Sequence, residues 1–390
     1  MSVSGTAVGA PRTESGRTER RRPPRATARD TVRVLTRVLA PGVARGVVVP
    51  RPWTGRLGLD RFADAEINRL RDRYGLGPLR LAVPGRSVAL ILDEGHARRV
   101  LSGEFPPVGR ERRSALAHYT FGSAPAHQTA GSPDAEVEPP GDVERIVREE
   151  IRPLAADGTI GWDEVRPALR RAVRRIVLGD TARDDELLTG LLDRLRTDAN
   201  WGYLRRRRDP VRWRFLARIR AHLRRAGRAE GTGTVPESLV ERAPLLLAEL
   251  EDAGAVAYRA LGLLAAHPGA PAEARADVTY LQAAVREARR LWPDEPAVLR
   301  DTRRKTRWDG AELPAGTTLV VPTVWLHRPA RFAPVASTLP PDPALRTATA
   351  MIKSLIDGYD VRPAGPGGLI PMPRTLHPSE LRFSFRRARE

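Results

Sequence analysis

The stretch Tyr280-Leu281-Gln282-Ala283-Ala284-Val285-Arg286-Glu287-Ala288-Arg289-Arg290-Leu291-Trp292-Pro293 decides how this chain is to be understood. Leu281, Ala284, Val285, Ala288 and Leu291 recur at the helical period, which predicts an amphipathic helix stopped by Pro293. Glu287 and Arg290 stand three apart and share one side of that helix. Taken alone, such a pair is an ordinary exposed ion pair of little energetic weight. What surrounds it is less ordinary. Pro296-Ala297-Val298-Leu299-Arg300 follows, and strand-like segments lead on to Leu313-Pro314-Ala315-Gly316-Thr317-Thr318-Leu319-Val320-Val321-Pro322. His327-Arg328-Pro329-Ala330-Arg331-Phe332 comes next.

Composition narrows the classes open to the chain. Its 390 residues, 41% hydrophobic, are enough for a sizeable core. No window carries the unbroken apolar run of about 18 residues that a membrane helix needs. The N-terminus lacks the apolar stretch of a secretory signal, so the expected location is the cytoplasm. Cysteine is absent, which excludes disulfides, thiolate nucleophiles and every Cys-ligated metal site. The 66 Lys and Arg against 47 Asp and Glu leave a formal charge of +19. Only Lys305 and Lys353 are lysines, and the arginines are dispersed, with their longest runs at Arg20–Arg22 and Arg205–Arg208. With 5% aromatics there is little from which to build stacking platforms for nucleic acid. A basic surface suits an acidic protein partner or an anionic surface equally well.

In chain order, residues 1–28 are rich in Ser, Pro and Arg without an apolar period and are expected to be a disordered tail. The remaining residues, 29–390, are expected to form one domain, mainly α with small β-sheets. Val32, Val34, Leu35, Val38 and Leu39 outline a first apolar helix face, and a second helix over Phe62–Tyr74 ends at Gly75. Leu79–Val83, a Pro84-Gly85 turn and Ser87–Leu92 read as a β-hairpin. Asp93 caps a short helix from Glu94 to Ser102. Residues 103–141 are irregular, poor in apolar side chains and long for a loop inside a domain. Five helical patterns follow at Asp142–Leu154, Trp162–Leu178, Asp184–Asn200, Pro210–Ala226 and Glu237–Ala266. The Arg205–Trp213 segment reads as a solvated helix edge.

The order E-x-x-R-L-x-P, an apolar strand, "LPAGTTLVVP", H-R-P and P-x-R-F resembles the K-helix region of cytochrome P450. Each motif is weak alone; together, in that order, they are specific. The resemblance covers about Asp30 to Phe385 and implies a cytochrome P450-like fold. It implies that Glu287 and Arg290 pair with Arg331 in a buried structural triad, held by charge-assisted bonds. It places Gly254, Ala257 and Arg300 at a haem or ligand pocket, and it implies haem, iron and monooxygenase, that is oxidoreductase, chemistry.

Three departures weaken that chemistry. In the family the long helix bears A-G-x-x-T, where the Gly makes room for dioxygen and the Thr helps deliver protons. Here Ala253-Gly254 match, but the Thr position is Ala257, which can neither donate nor relay a proton. Glu251 and Asp252, just upstream, either supply protons through water or face solvent. The irregular segment offers only His118 and His127 as haem-contacting imidazoles, each read more simply as an exposed loop histidine. Most important, the Gly-rich loop whose Cys thiolate ligates iron is missing between residues 334 and 344. Asp342, Ser337 and Thr338 are poor substitutes for a thiolate, and the chain runs directly into a helix at Ala344–Asp357. No other catalytic or metal-ligating residue is assigned.

Three functions stay open on the sequence. One is a haemless, catalytically silent relative that binds a small apolar ligand or a partner enzyme. Another is a haem monooxygenase of secondary metabolism, served by an acidic redox protein, with a non-standard ligand or a sequence that has lost a segment. The last is a basic helical binding protein unrelated to haem.

Overall fold

The computed structural model describes residues 22–40, 60–101, 104–105, 142–199, 208–228, 234–293, 297–322, 342–364, 373 and 376–387. The expectations for residues 1–21 of the 1–28 tail, for His118 and His127, for Arg331 and for the 334–341 gap therefore lie outside the described residues, whereas residues 22–28 are not a loose tail: Pro24 and Ala26 bond to Arg80 and Ala26 is buried.

The chain opens with α1 (Ala28–Arg33), capped by the Thr27 hydroxyl accepting from the Asp30 N–H, and continues into a π-helical turn over Val34–Leu39. Helix α2 (Asp60–Tyr74) ends at Gly75, whose φ of +83° the missing Cβ permits. Buried Asp30 accepts from the Tyr74 hydroxyl at 2.7 Å, and buried Glu66 accepts from Arg33 and Arg69, so the first two helices are joined by charge. Val34 and Val38 are buried as their spacing predicts, whereas Val32 and Leu35 are exposed. The buried face runs through Asp30, Thr31, Val34 and Val38, and Val32 and Leu35 fall to its sides.

Strands β1 (Leu79–Leu81) and β2 (Val88–Leu90) form the expected antiparallel hairpin, and α3 (Glu94–Leu101) follows. Helix α4 (Val143–Ile151) is shorter than expected, because Pro153 lacks an N–H and the chain tightens into a 3₁₀ turn at Arg152–Asp157. Strand β3 (Thr159–Gly161) then leads into α5 (Trp162–Leu178), α6 (Glu186–Ala199), α7 (Asp209–Arg225) and the 29-residue α8 (Glu237–Ala265). A short α9 (Ala270–Ala276) precedes α10 (Val278–Leu291), the helix of the opening stretch. Strands β4 (Ala297–Asp301), β5 (Thr306–Trp308), β6 (Ala311–Leu313) and β7 (Thr318–Pro322) follow, then α11 (Pro343–Ile356), β8 (Tyr359–Pro363) and β9 (Arg382–Arg387). The helix expected over Ala344–Asp357 spans Pro343–Ile356, and Gly358, at φ +84°, turns the chain into β8.

Helices α4, α5, α8 and α11 pack into a helical core, with α10 alongside α8 and α11. A four-stranded sheet in the order β1-β2-β7-β4 stands beside it, in which the β2–β7 pairing is parallel and joins the N-terminal hairpin to the segment after α10. Alternation along these strands divides their side chains between two faces. Leu90, Leu92 and Val320 meet Ile67 and Leu70 of α2, while Ala89, Ile91, Leu319 and Val321 meet Trp308, Val100 and Phe105. The closing sheet, β3-β9-β8, inserts Phe383 and Phe385 into the helical core, where Phe383 sets its ring edge-to-face on Tyr258 of α8.

Helices α6 and α7 are tied by a buried polar joint. Asp185 accepts from His222 Nε2 at 2.8 Å, from Arg218 at 2.7 Å and from the Leu188 N–H at 3.0 Å. Burial pushes the Asp185 carboxyl up, but these donors outweigh it and hold its pKa at about 2. The unfolded-state value is near 3.9, so the folded state resists protonation more than the unfolded one. This contribution is complete above about pH 5 and is lost as pH falls toward 2, amounting to about 2 kcal/mol. Urea denaturation between pH 6 and 2 should show that loss, and Asp185→Asn should abolish its share of the slope while lowering stability at neutral pH.

Candidate functional site

Helix α10 is capped by Asp277, whose carboxylate accepts from the Thr279 N–H, and it buries Leu281, Ala283, Ala284, Val285, Ala288 and Leu291. On its polar side Arg290 donates to both oxygens of Glu287, Nε to Oε2 at 2.7 Å and Nη2 to Oε1 at 2.5 Å. The Glu287 side chain is 11% exposed and that of Arg290 34%. The bidentate carboxylate holds the Arg290 pKa above its ordinary value. The carboxylate thus lies well inside the surface while its guanidinium partner reaches partly into water.

Sequence reading missed what secures the end of this helix. Trp292 is buried and its indole N–H donates to the Pro373 carbonyl at 3.0 Å. Arg259, buried on α8, donates to the Leu376 carbonyl at 2.9 Å and to the Trp292 carbonyl at 3.3 Å. One guanidinium therefore satisfies carbonyls from two distant segments that have no ladder partner there. Its only signal in the sequence was an arginine inside an otherwise apolar helical run.

On α8 the resemblance pointed to Gly254 and Ala257. Both are buried, with Ala257 fully so. A Cβ on Gly254 would stand 2.1 Å from Leu169 Cδ2 of α5. The glycine is spent on a close helix crossing, and Leu169 occupies the space beside it. Arg300 lies in the middle of β4, opposite Leu319 of β7, half-buried and donating to the Leu299 carbonyl at 3.0 Å.

Glu251 is buried and Asp252 partly exposed, and arginines bind both. Arg170 donates to Glu251 at 2.8 Å and also grips Asp193, Arg166 approaches Glu251 at 3.4 Å, and Arg196 bridges Glu251 (3.2 Å) and Asp252 (2.7 Å). Burial would raise the Glu251 carboxyl, but the charges of Arg196, Arg170 and Arg166 hold it below the carboxylate range. A carboxylate so paired stays ionised and carries no proton to donate near neutrality. Asp342 is likewise committed, accepting from the Leu345 N–H at 2.7 Å as the cap of α11.

No protein-family model and no curated protein matches the chain. Solved structures do. CYP102L1, a cytochrome P450, superposes with a TM-score of 0.61 at 16% identity over 95% of this chain and 100% of its own. CYP108D1 from Novosphingobium aromaticivorans gives 0.55 at 16% identity over 94% and 100%. Ligand-free cytochrome P450 OleT gives 0.58 at 14% identity over 94% and 99%. The chain has the cytochrome P450 fold. At these identities the likeness is one of architecture, and function must be argued from the site.

The haem that this fold implies meets a poor donor set. The P450-fold chain has no cysteine anywhere. Among the described residues no group of three His, Asp or Glu side chains is placed to hold a metal ion, and no helix is long and apolar enough to cross a membrane. The residues present do not fit a haem-thiolate group.

The packing at Gly254 makes a measurable prediction. Gly254→Ala should destabilise the fold by about 1–3 kcal/mol through overpacking, and adding Leu169→Ala should give a double variant more stable than the two single losses predict, a positive coupling in a denaturation cycle. Glu251→Ala should cost about 1–3 kcal/mol, because Arg170 and Arg196 lose a shared buried acceptor while keeping Asp193 and Asp252.

Proposed function

We propose that this chain is a haemless, catalytically silent relative of the cytochromes P450 that acts as an accessory protein, binding a partner enzyme or a small apolar ligand. The observation that carries the reading is the absence of any cysteine in a chain that keeps the P450 fold. Oxygen activation in this fold class draws on a thiolate that pushes electron density toward the O–O bond, and none of the remaining side chains supplies that push. Two features of α8 support it. Ala257 offers no hydroxyl for proton delivery, and the carboxylates upstream are consumed by Arg166, Arg170 and Arg196.

On this reading the Glu287–Arg290 pair keeps a structural duty whether or not iron is present, with Arg331 as the third member that the resemblance implies. The fold's helical core supplies a rigid body, and its surface becomes the functional part.

The test is an absorption spectrum of the full-length protein purified after expression with a haem precursor, followed by reduction and carbon monoxide. We expect no stoichiometric haem and no Soret band beyond that of loosely bound pigment. A stoichiometric Soret band with a red-shifted, thiolate-type carbon monoxide complex would overturn the reading in favour of a working monooxygenase.

A further inference from the structure

Helix α7 carries a face that the fold leaves unused. Its inner side, Phe215, Leu216, Ile219, His222 and Leu223, is buried against the core. With about 3.6 residues per turn, the opposite side presents Trp213, Arg214, Ala217, Ala221, Arg224 and Arg225. Trp213 is 61% exposed, more than any other large hydrophobic side chain among the described residues. An indole held in water on a rigid helix is a large apolar surface waiting for cover.

The arginines of this helix divide into two sets. Arg212 pairs with Asp209, Arg218 with Asp185, and Arg220 with Glu237 of α8, so these three serve the fold. Arg214, Arg224 and Arg225 lie exposed, and among the described residues no carboxylate pairs with them. Between the indole and the C-terminal pair the helix shows only Ala217 and Ala221, small enough for another backbone to approach closely. Trp213 and Arg224 are separated by about 16 Å along the axis, roughly three turns.

We propose that this outer face of α7 is a docking surface for an acidic partner protein. Trp213 enters an apolar pocket of the partner, and Arg214, Arg224 and Arg225 meet Asp and Glu carboxylates at its rim. Tryptophan and arginine are the side chains that most often carry binding energy at protein interfaces, and complementary charge around them steers encounter. An anionic membrane fits less well, since insertion draws on several apolar side chains and this face has one. A single indole provides no row of stacking platforms for nucleic acid. A second copy of the chain is disfavoured by the +19 charge that both copies would carry. The inference deepens the accessory reading by giving the partner's chemistry, and it rests on that reading for the partner's role but not for the surface itself.

The test uses the full-length chain with benzoylphenylalanine in place of Ala217, irradiated inside the organism that encodes it. The cross-linked protein is identified by mass spectrometry, purified and titrated by calorimetry against the unmodified chain. We expect a protein of net negative charge whose Kd weakens at least tenfold with Trp213→Ala and at least tenfold with Arg224→Glu plus Arg225→Glu, and weakens steadily as salt is raised. Val278→Ala, an exposed position on α10, should leave the Kd unchanged, and thermal melts of each variant verify that it is folded. No cross-link, or a partner whose Kd ignores the α7 variants, would overturn the proposal. So would vesicles of phosphatidylglycerol and phosphatidylcholine, or a duplex DNA, that bind through Trp213 more tightly than any protein does. The absorption spectrum is read independently: stoichiometric haem would sink the accessory reading and leave the calorimetry standing, whereas an indifferent Kd would sink the docking face alone.

Discussion

Glu251 and Asp252 sit on the longest helix of the chain at the point where it crosses α5, and the guanidiniums of Arg166, Arg170 and Arg196 close around them. The mainly leucine and alanine surfaces on either side could accept several registers without such a fixture. Charges taken out of water accept very few. One turn further on, Gly254 lets Leu169 lie against the backbone of α8, so α5 is held to α8 by a charged clamp and a steric notch within the same stretch. The remaining core helices, α4, α10 and α11, pack on that pair.

The same two devices that stabilise the crossing also bear on chemistry. In a haem enzyme of this architecture the middle of the long helix must leave space and must handle protons. Here a leucine side chain packs on Gly254, and the charges of the surrounding arginines hold the Glu251 carboxyl below its ordinary range. Packing and ion pairing both make use of this stretch of α8. The absence of cysteine and the packing of Leu169 on Gly254 are independent observations, and both support the proposed reading.

Arginine carries most of the polar architecture. It pairs bidentately at Arg290, clamps carbonyls at Arg259, and joins α1 to α2, α4 to α5 and α6 to α7. Its planar fork suits all of these tasks better than a lysine ammonium does. A protein that buries so many guanidiniums as structural braces still leaves a surplus outside, and on α7 that surplus surrounds an exposed indole. A high net charge is therefore partly scaffold and partly surface, and the two shares separate only when each arginine's partner is known.

The sequence by itself determined the elements. The 3.6-residue period delivered α5 to the residue and α8 and α10 to within two, the Pro84-Gly85 turn delivered the first hairpin, and the ordered motifs around Glu287 named the fold. The missing cysteine, too, was legible there, since an absent atom type needs no coordinates. Short strands such as β3 were not legible, because three residues carry no period, and β8 was hidden behind a helix whose end depends on one glycine's positive φ. Only the tertiary structure decided which arginine meets which carboxylate. Glu251 read equally well as proton donor or solvent-facing acid until α5 and α6 brought three guanidiniums to it. Gly254 read as room for a ligand until Leu169 was found in that room. Periodicity reports which side of a helix is buried, a local property of the chain; what lies against that side is set by segments far away in sequence, and the roles of Glu251, Gly254, Arg259 and Trp213 all follow from that distant half of the contact.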